Sequence, residues 1–497
     1  MPVVVERPAL AYVCASFSGF LRTFGVGAGR LVSSAGAPMA RDVSDSTPIG
    51  SKAELIAWIA AGEKPASSFR IGTEHEKFPF YRSDLAPVPY EGRDGAGGIR
   101  ALLEGMQKRL GWEPIVDAGH IIGLAGPDGG GAISLEPGGQ FELSGAPLET
   151  LHETEAELQA HLADVKAVAA PHGIGFVALG ASPLWTRAET PVMPKGRYKI
   201  MANYMPKVGT MGLDMMFRTC TVQVNLDFAS EADMVRKLRV SLALQPLSTA
   251  LFASSPFLER KLNGFQSMRS EIWRDTDNAR SGMLAFAFDE GMSYEGYVDW
   301  ALDVPLYFVK RGDTYHDVAG ASFRDLLAGR LPQLPGEKAT MSDWANHLST
   351  LFPEVRLKRF LEMRGCDAGP PDMLTAMPAF WVGLLYDTVS LDAAWDLVRG
   401  WSAAERQALR DAVPREGLAA AIGGRKLVEI AAEVVALSRA GLARRALKNA
   451  AGQDETRFLE PLDAILERRQ NLAQALQARY RDAWQGKVEP VMTEMAL

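Results

Sequence analysis

Four short stretches alternate apolar and polar residues with period two, and their polar members are carboxylates, amides and hydroxyls. They read IGTEHEKF (71–78), ISLE (133–136), QFEL (140–143) and TVQVNLDF (221–228). In a strand, residues i and i+2 share a face and lie roughly 6.5–7 Å apart. Glu74 and Glu76 therefore point the same way, as do Thr221, Gln223, Asn225 and Asp227. Glu136, Gln140 and Glu142 share a face if one strand runs on through Pro137, Gly138 and Gly139. On the other side, Ile133, Leu135, Phe141, Leu143, Val222, Val224, Leu226 and Phe228 form an apolar backing.

Carboxylates gathered on one face repel unless a cation or a proton lies between them. An oxygen-rich set of this kind suits Mg²⁺, which in such sites usually also grips nucleotide phosphates. The plainer reading of any one stretch is a one-sided sheet with its polar face in water. Four such stretches together favour the ligand reading. His75 lies on the opposite face from Glu74 and Glu76, so a packed, hydrogen-bonded histidine is expected there rather than a ligand. The segment 191–212 carries Lys195, Arg197, Lys199 and Lys207 among Met and Tyr residues, and reads as a long, ordered, irregular loop. Acids that hold cations, beside a basic loop, have one economical use: neutralising a nucleoside triphosphate during phosphoryl transfer.

The elements that must position these residues are a mixture without βαβ rhythm. Helical spacing marks 51–61, 99–110, 153–170 and 231–252, and helical runs recur at 390–400, 402–412, 425–449 and 456–484. Residues 120–125 and 132–143 around Gly129, Gly130 and Gly131 read as a hairpin, 175–180 as a short strand, and 298–309 as another. The glycine-rich run 92–98 matches no phosphate-loop pattern and reads as a connection. The fold class expected is α+β, with a largely antiparallel sheet surrounded by helices. The expected divisions are an N-terminal extension at 1–45, a catalytic α+β domain at 46–385 and a helical C-terminal region at 386–497 packed on it.

Residues 1–45 are rich in Ala, Ser, Gly and Val, carry four arginines and few acids, and suit either an organelle-type transit segment or an upstream extension. The net charge of −7 argues against a general nucleic-acid binder. No apolar run is long enough for a membrane span. Cys14, Cys220 and Cys366 are too widely spaced for a disulfide framework or a zinc site, which fits a reducing, cytoplasmic setting. Cys220 is expected to be a small packed residue.

Five segments carry a specific resemblance: FRIGTEHEKFPF (69–80), ISLEPGGQFELSGAPLETLHET (133–154), MPKGRYKIMANYMPKVGTMGLDMMFRTCTVQVNLDF (193–228), GFQSMRSEIW (264–273) and PEVRLKRFLEMRG (353–365). Together they resemble the glutamate–cysteine ligase family, in its plant and alphaproteobacterial branch. The resemblance implies ATP-dependent joining of the glutamate γ-carboxyl to the cysteine amine, the first step of glutathione synthesis. It implies a glutamine synthetase-like fold, its sheet curled into a funnel around Mg-ATP. The substrates implied are glutamate, cysteine and ATP, with Mg²⁺ as the metal and a monomer or homodimer as the assembly.

On this resemblance Glu74, Glu76, Glu136 and Glu142 are the expected metal ligands. Gln140, Gln223 and Asn225 are expected near metal-bound water or substrate. Arg269 is the leading clamp for a substrate carboxylate, since a fork of N–H donors suits bidentate recognition. Arg218 is the second candidate. Lys195, counted with these arginines in the catalytic set, and Arg197 and Lys207 either contact phosphate or are ordinary solvated cations. Trp273 and Tyr204 either wall the pocket or belong to the core. Plant members resembling this chain have cysteines where it has Glu155, Gln333 and Thr375, so their redox-responsive disulfides are not expected here. A ligase of the same fold acting on another amine, a non-catalytic sensor and a simple phosphotransferase are the competing readings.

Overall fold

Nine antiparallel strands form one open sheet that carries most of the polar residues singled out above. The structure, a computed structural model, describes residues 45–497, and the expectations for the N-terminal extension fall on residues before that range. The strands are β1 (Ile71–Tyr81), β2 (Glu113–Asp117), β3 (His120–Ala125), β4 (Ala132–Leu135), β5 (Phe141–Ser144), β6 (Ile174–Val177), β7 (Thr221–Leu226), β8 (Val355–Leu357) and β9 (Leu361–Asp367). Their order is β8-β9-β7-β1-β5-β4-β3-β2, and β6 pairs with the second half of β1. The path does not close on itself, and the fold class is mixed α and β with an antiparallel sheet.

Register decides which side chains meet. Glu74 stands between Gln223 on β7 and Ser144 on β5, and Glu76 stands opposite Glu142. Glu142 is in turn opposite Ser134 on β4, while Asn225 is opposite Glu362 on β9, and Glu362 opposite Arg356 on β8. Directly opposed side chains lie within about 5.5 Å at Cβ, so these rows bring acids, amides and cations onto one face.

The other face is the apolar backing. Val222, Val224, Leu226, Leu357, Leu361 and Met363 join a core with the helices Glu231–Phe252, Pro371–Leu385 and Leu427–Arg445. Ile133, Leu135, Phe141 and Leu143 pack in a second cluster with Ile99, Leu102, Leu103 and Met106 of the helix Ile99–Leu110. The helix Leu151–Ala169 starts at a capping box in which Thr150 accepts from the Glu153 N–H and Glu153 accepts in return.

Four expectations are corrected. The stretch 136–140 is a tight turn between β4 and β5, not strand: the Glu136 N–H donates to Gln140 O and the Gly139 N–H to Glu136 O. Gly139 has φ +87°, a conformation that excludes most other residues from this turn. The segment 191–212 holds a helix, Gly196–Tyr204, and the next helix begins at Gly212 (Gly212–Arg218). Asp117 accepts the Gly196 N–H at the start of the first helix, and the Tyr198 hydroxyl donates to Leu135 O, so tertiary contacts order a sequence of weak helical pattern. Residues 298–303 lie in the helix Tyr294–Asp303, capped by Ser293, and only Phe308–Arg311 is strand. The helical run at 456–484 breaks after Arg468, where Arg469 has φ +50° and Asn471 caps the next helix. No single helix among the described residues is long and apolar enough to cross a membrane.

Candidate active site

The polar face of the sheet floors a cleft with a cavity volume of about 150 Å³. Acids occupy its centre. Glu74 accepts from Asn225 Nδ2 at 2.7 Å and from Gln223 Nε2 at 3.3 Å. Glu76 accepts from the Thr221 N–H at 2.9 Å. Glu142 accepts from the Ser134 hydroxyl at 2.5 Å and the Ser144 hydroxyl at 3.2 Å. Glu136 reaches the same space from the β4–β5 turn.

Burial shifts the titration of three of them. Burial, reinforced by Glu362 and Glu142, pushes the Glu74 carboxyl up to about 8. Burial and then Glu136 and Glu142 hold Glu76 well above the usual carboxylate range. Burial and Glu142 push Glu136 up to about 7, although Lys195, Arg197 and Arg364 oppose this. These groups share too little water and too much like charge to ionise together without a cation.

Cations stand at both ends. Lys195 and Arg197, from the start of the helix Gly196–Tyr204, line the cleft beside Glu136. At the other end are Arg356, Lys358, Arg364 and Arg269, with Trp273 and Phe352. The strand order β8-β9-β7-β1-β5-β4 thus runs from positive, through negative, to positive again at the flanking helix.

The oxygen-rich donor set fits a hard divalent ion such as Mg²⁺. Among the described residues, no three His, Cys, Asp or Glu side chains group closely enough to hold one ion by themselves. A Mg²⁺ here would take one or two carboxylates and fill its octahedron with water or substrate oxygens, which is its usual habit.

Of the residues singled out from sequence, Glu74, Glu76, Glu136, Glu142, Gln140, Gln223, Lys195, Arg197, Arg269 and Trp273 line this cleft. Others are placed elsewhere. The Arg218 guanidinium pairs with Asp214 and with Glu259, the latter at 2.6 Å, and donates to Trp185 O, outside the cleft. Lys207 is exposed in the turn Met205–Lys207. Asn225 does not line the cleft but holds Glu74. Gln140 lines it but spends its amide on the backbone: Nε2 donates to Met216 O and Thr219 O, and Oε1 accepts the Gly138 N–H. Tyr204 packs edge-on against Tyr307. His75 is buried behind the sheet against His161, and neither of its ring nitrogens has a hydrogen-bond partner, contrary to expectation. Burial keeps it neutral.

Sequence reasoning did not single out Arg356, Lys358, Glu362 and Arg364. The signal was available in PEVRLKRFLEMRG: Arg356 and Lys358 are two apart, as are Glu362 and Arg364, the spacing that put Glu74 beside Glu76. Ser134 and Ser144 were missed as acid partners. Cys220 and Cys366 are buried free thiols, and burial raises both. Glu155 pairs with Arg457 at 2.9 Å.

The chain is 51% identical over 469 residues to glutamate–cysteine ligase A, chloroplastic, of Oryza sativa subsp. japonica, covering 94% of this chain and 92% of that protein. It is 53% identical over 466 residues to glutamate–cysteine ligase, chloroplastic, of Arabidopsis thaliana, covering 94% and 86%. Among solved structures it resembles the glutamate–cysteine ligase of Francisella tularensis in complex with AMP, with a TM-score of 0.51 and 11% identity over 83% of this chain and 85% of that one, a likeness of fold. The profile of glutamate–cysteine ligase family 2 matches residues 70–494, and the chain belongs to that family.

Proposed function

We propose that this protein uses ATP to join the γ-carboxyl of L-glutamate to the amino group of L-cysteine through a γ-glutamyl phosphate, the first step of glutathione synthesis. One observation carries the reading: a row of four carboxylates in one cleft with cations at either end. Family membership supplies the substrates, and the named activity of the rice and Arabidopsis relatives supports them.

The chemistry follows from the charges. An oxygen of the glutamate γ-carboxylate attacks the γ-phosphorus of ATP, and the bond to the β,γ-bridging oxygen breaks, with ADP leaving on that electron pair. The neutral amine of cysteine then attacks the acyl carbon. The C–N bond forms, the C–O bond to phosphate breaks, and the nitrogen loses its extra proton to water. Both steps gather anions that repel without compensating charge.

Glu74, Glu76, Glu136 and Glu142 would share the Mg²⁺ between them, one or two carboxylates to an ion. When bound, the metal supplies the charge that neutralises the nucleotide's phosphate oxygens. Lys195 and Arg197 take the phosphate tail at one end. A groove lined by Ile115, Val116, Asp117, Lys310, Asp313 and Tyr315 shares Lys195 with the cleft, which suits the rest of the nucleotide. Arg269 takes the α-carboxylate of glutamate at the other end. Its Nη2 donates to Arg364 O, while its Nε has no protein partner. Enclosure by the sheet and by the rings of Trp273 and Phe352 limits the water that would hydrolyse the acyl phosphate. A funnel of the glutamine synthetase kind around the nucleotide is the architecture we propose.

The test is an assay of the purified protein with ATP, Mg²⁺, glutamate and cysteine, following γ-glutamylcysteine by mass and ADP in equal amount. Glu74→Gln should abolish most Mg²⁺-dependent turnover, by roughly 100-fold or more. ADP release without a peptide product, or faster turnover with an amine other than cysteine, would replace the proposal with a phosphotransferase or a different ligase.

A further inference from the structure

Glu362 is fully buried on β9, does not line the cleft, and yet touches three residues that do. Arg356 on β8 grips its carboxylate with two hydrogen bonds, Nε at 2.9 Å and Nη2 at 2.7 Å. Lys358 Nζ lies 3.3 Å away, and Arg364 Nη1 donates to the same carboxylate. One negative charge therefore organises three positive ones. Without it, the three cations, on β8, on β9 and in the turn between them, would repel and swing apart. With it, two units of positive charge remain in excess, and the three side chains that carry them line the cleft.

Neighbouring contacts fix what the excess faces. Arg364 also donates to Gln223, which holds Glu74, and Asn225, which stands opposite Glu362 in the ladder, holds Glu74 as well. The cationic group thus abuts Glu74, the acid of the row nearest β7, and faces the phosphate oxygens that a metal held by that acid would draw in. Arg269 and Arg364 also open together, with Trp273 and Phe352, into a small side recess lined by Glu354 and Arg410. Arg356 is tied down further by donating to Ser349 O and Leu351 O. It acts as the fixed post of the wall, and Lys358 and Arg364 are its working faces.

We propose that Glu362 is a positioning residue that gathers Arg356, Lys358 and Arg364 into one cationic wall, which stabilises the phosphoryl group as it passes from ATP to the γ-carboxylate of glutamate. The proposal rests on the ligase reading given above. In the transfer the carboxylate oxygen gains the bond to phosphorus and ADP keeps the electron pair of the broken one. The wall supplies charge and exchanges no atoms.

The test compares wild type, Glu362→Gln and Glu362→Asp in full-length protein. The readouts are kcat, KM for ATP and for glutamate, Tm, and scrambling of oxygen-18 from the β,γ-bridge of ATP in the presence of glutamate without cysteine, which reports phosphoryl transfer alone. Glu362→Gln should lower kcat and scrambling together, by roughly 100-fold, with each KM within threefold of wild type. Glu362→Asp, which restores the charge, should recover at least tenfold of that loss. Should Glu362→Gln fail to fold, Lys358→Met leaves the Arg356–Glu362 pair intact and should show the same split between kcat and KM. A normal kcat with a lowered Tm, a rise confined to the KM for glutamate, or unchanged scrambling would each overturn the proposal while leaving the ligase reading intact. A wild-type protein that makes no γ-glutamyl product would overturn both.

Discussion

Arg269 and Arg218 show how little a residue type says before its neighbours are known. Both are buried arginines in segments that resemble the family. Arg218 has its charge matched by Asp214 and Glu259. Arg269 faces Asp367 and Glu76 only at longer range, while an unpartnered Nε is common to both arginines. Arg269→Lys should therefore raise the KM for glutamate roughly 10- to 100-fold with little change in Tm, because a point charge replaces a planar fork. Arg218→Lys should do the reverse, losing about 1–3 kcal/mol in urea unfolding with unchanged kcat and KM per folded molecule. The acids were legible because carboxylates clustered at spacing two are rare without a purpose. The amide of Gln140 was not, since sequence cannot say whether an amide serves a ligand or ties a turn to Met216 and Thr219.

At the scale of elements, β1 and β7 were readable because their alternation is unbroken and both faces matter. The turn at 136–140 was not: Glu136 and Glu142 share a face whether the chain runs straight or folds back, so parity alone could not choose. The helix Gly196–Tyr204 was hidden because its stability comes from Asp117 and Leu135 on distant strands. A similar long-range tie joins the helix Leu151–Ala169 to the loop after β5, where Glu157 accepts the Ala146 N–H at 2.8 Å. Burial raises the Glu157 carboxyl to about 7, against the pull of that hydrogen bond. A carboxyl raised in the fold contributes stability below its unfolded value near 4.5 and loses it as pH climbs through 7. Glu157→Gln, which keeps the acceptor, should match wild type at pH 5 and exceed it by roughly 1–2 kcal/mol at pH 8 in denaturant unfolding.

For the molecule as a whole, acid should act through histidines as well as acids. His347 is buried between Phe323 and Trp344 and bonds to Ala301 O through Nε2, and burial lowers it to about 3. A group depressed in the fold contributes stability above its unfolded value near 6.5 and loses it as pH falls toward 3. The stability advantage of wild type over His347→Gln should therefore shrink by about 2 kcal/mol between pH 7 and pH 5 in urea titrations. The overall architecture was legible as antiparallel α+β, yet its strand order was not, since nothing local tells β9 to enter between β8 and β7. That insertion sets a timetable. The acids of β1 leave the ribosome some hundreds of residues before Arg356, Lys358 and Arg364, and domains fold as their parts emerge. A half-made chain would hold its glutamates together with no counter-charge beside β7, and would stay open there. The last strands of this sheet to be synthesised thus both complete it and make its acidic centre tolerable, so nascent protein has no reason to bind nucleotide early.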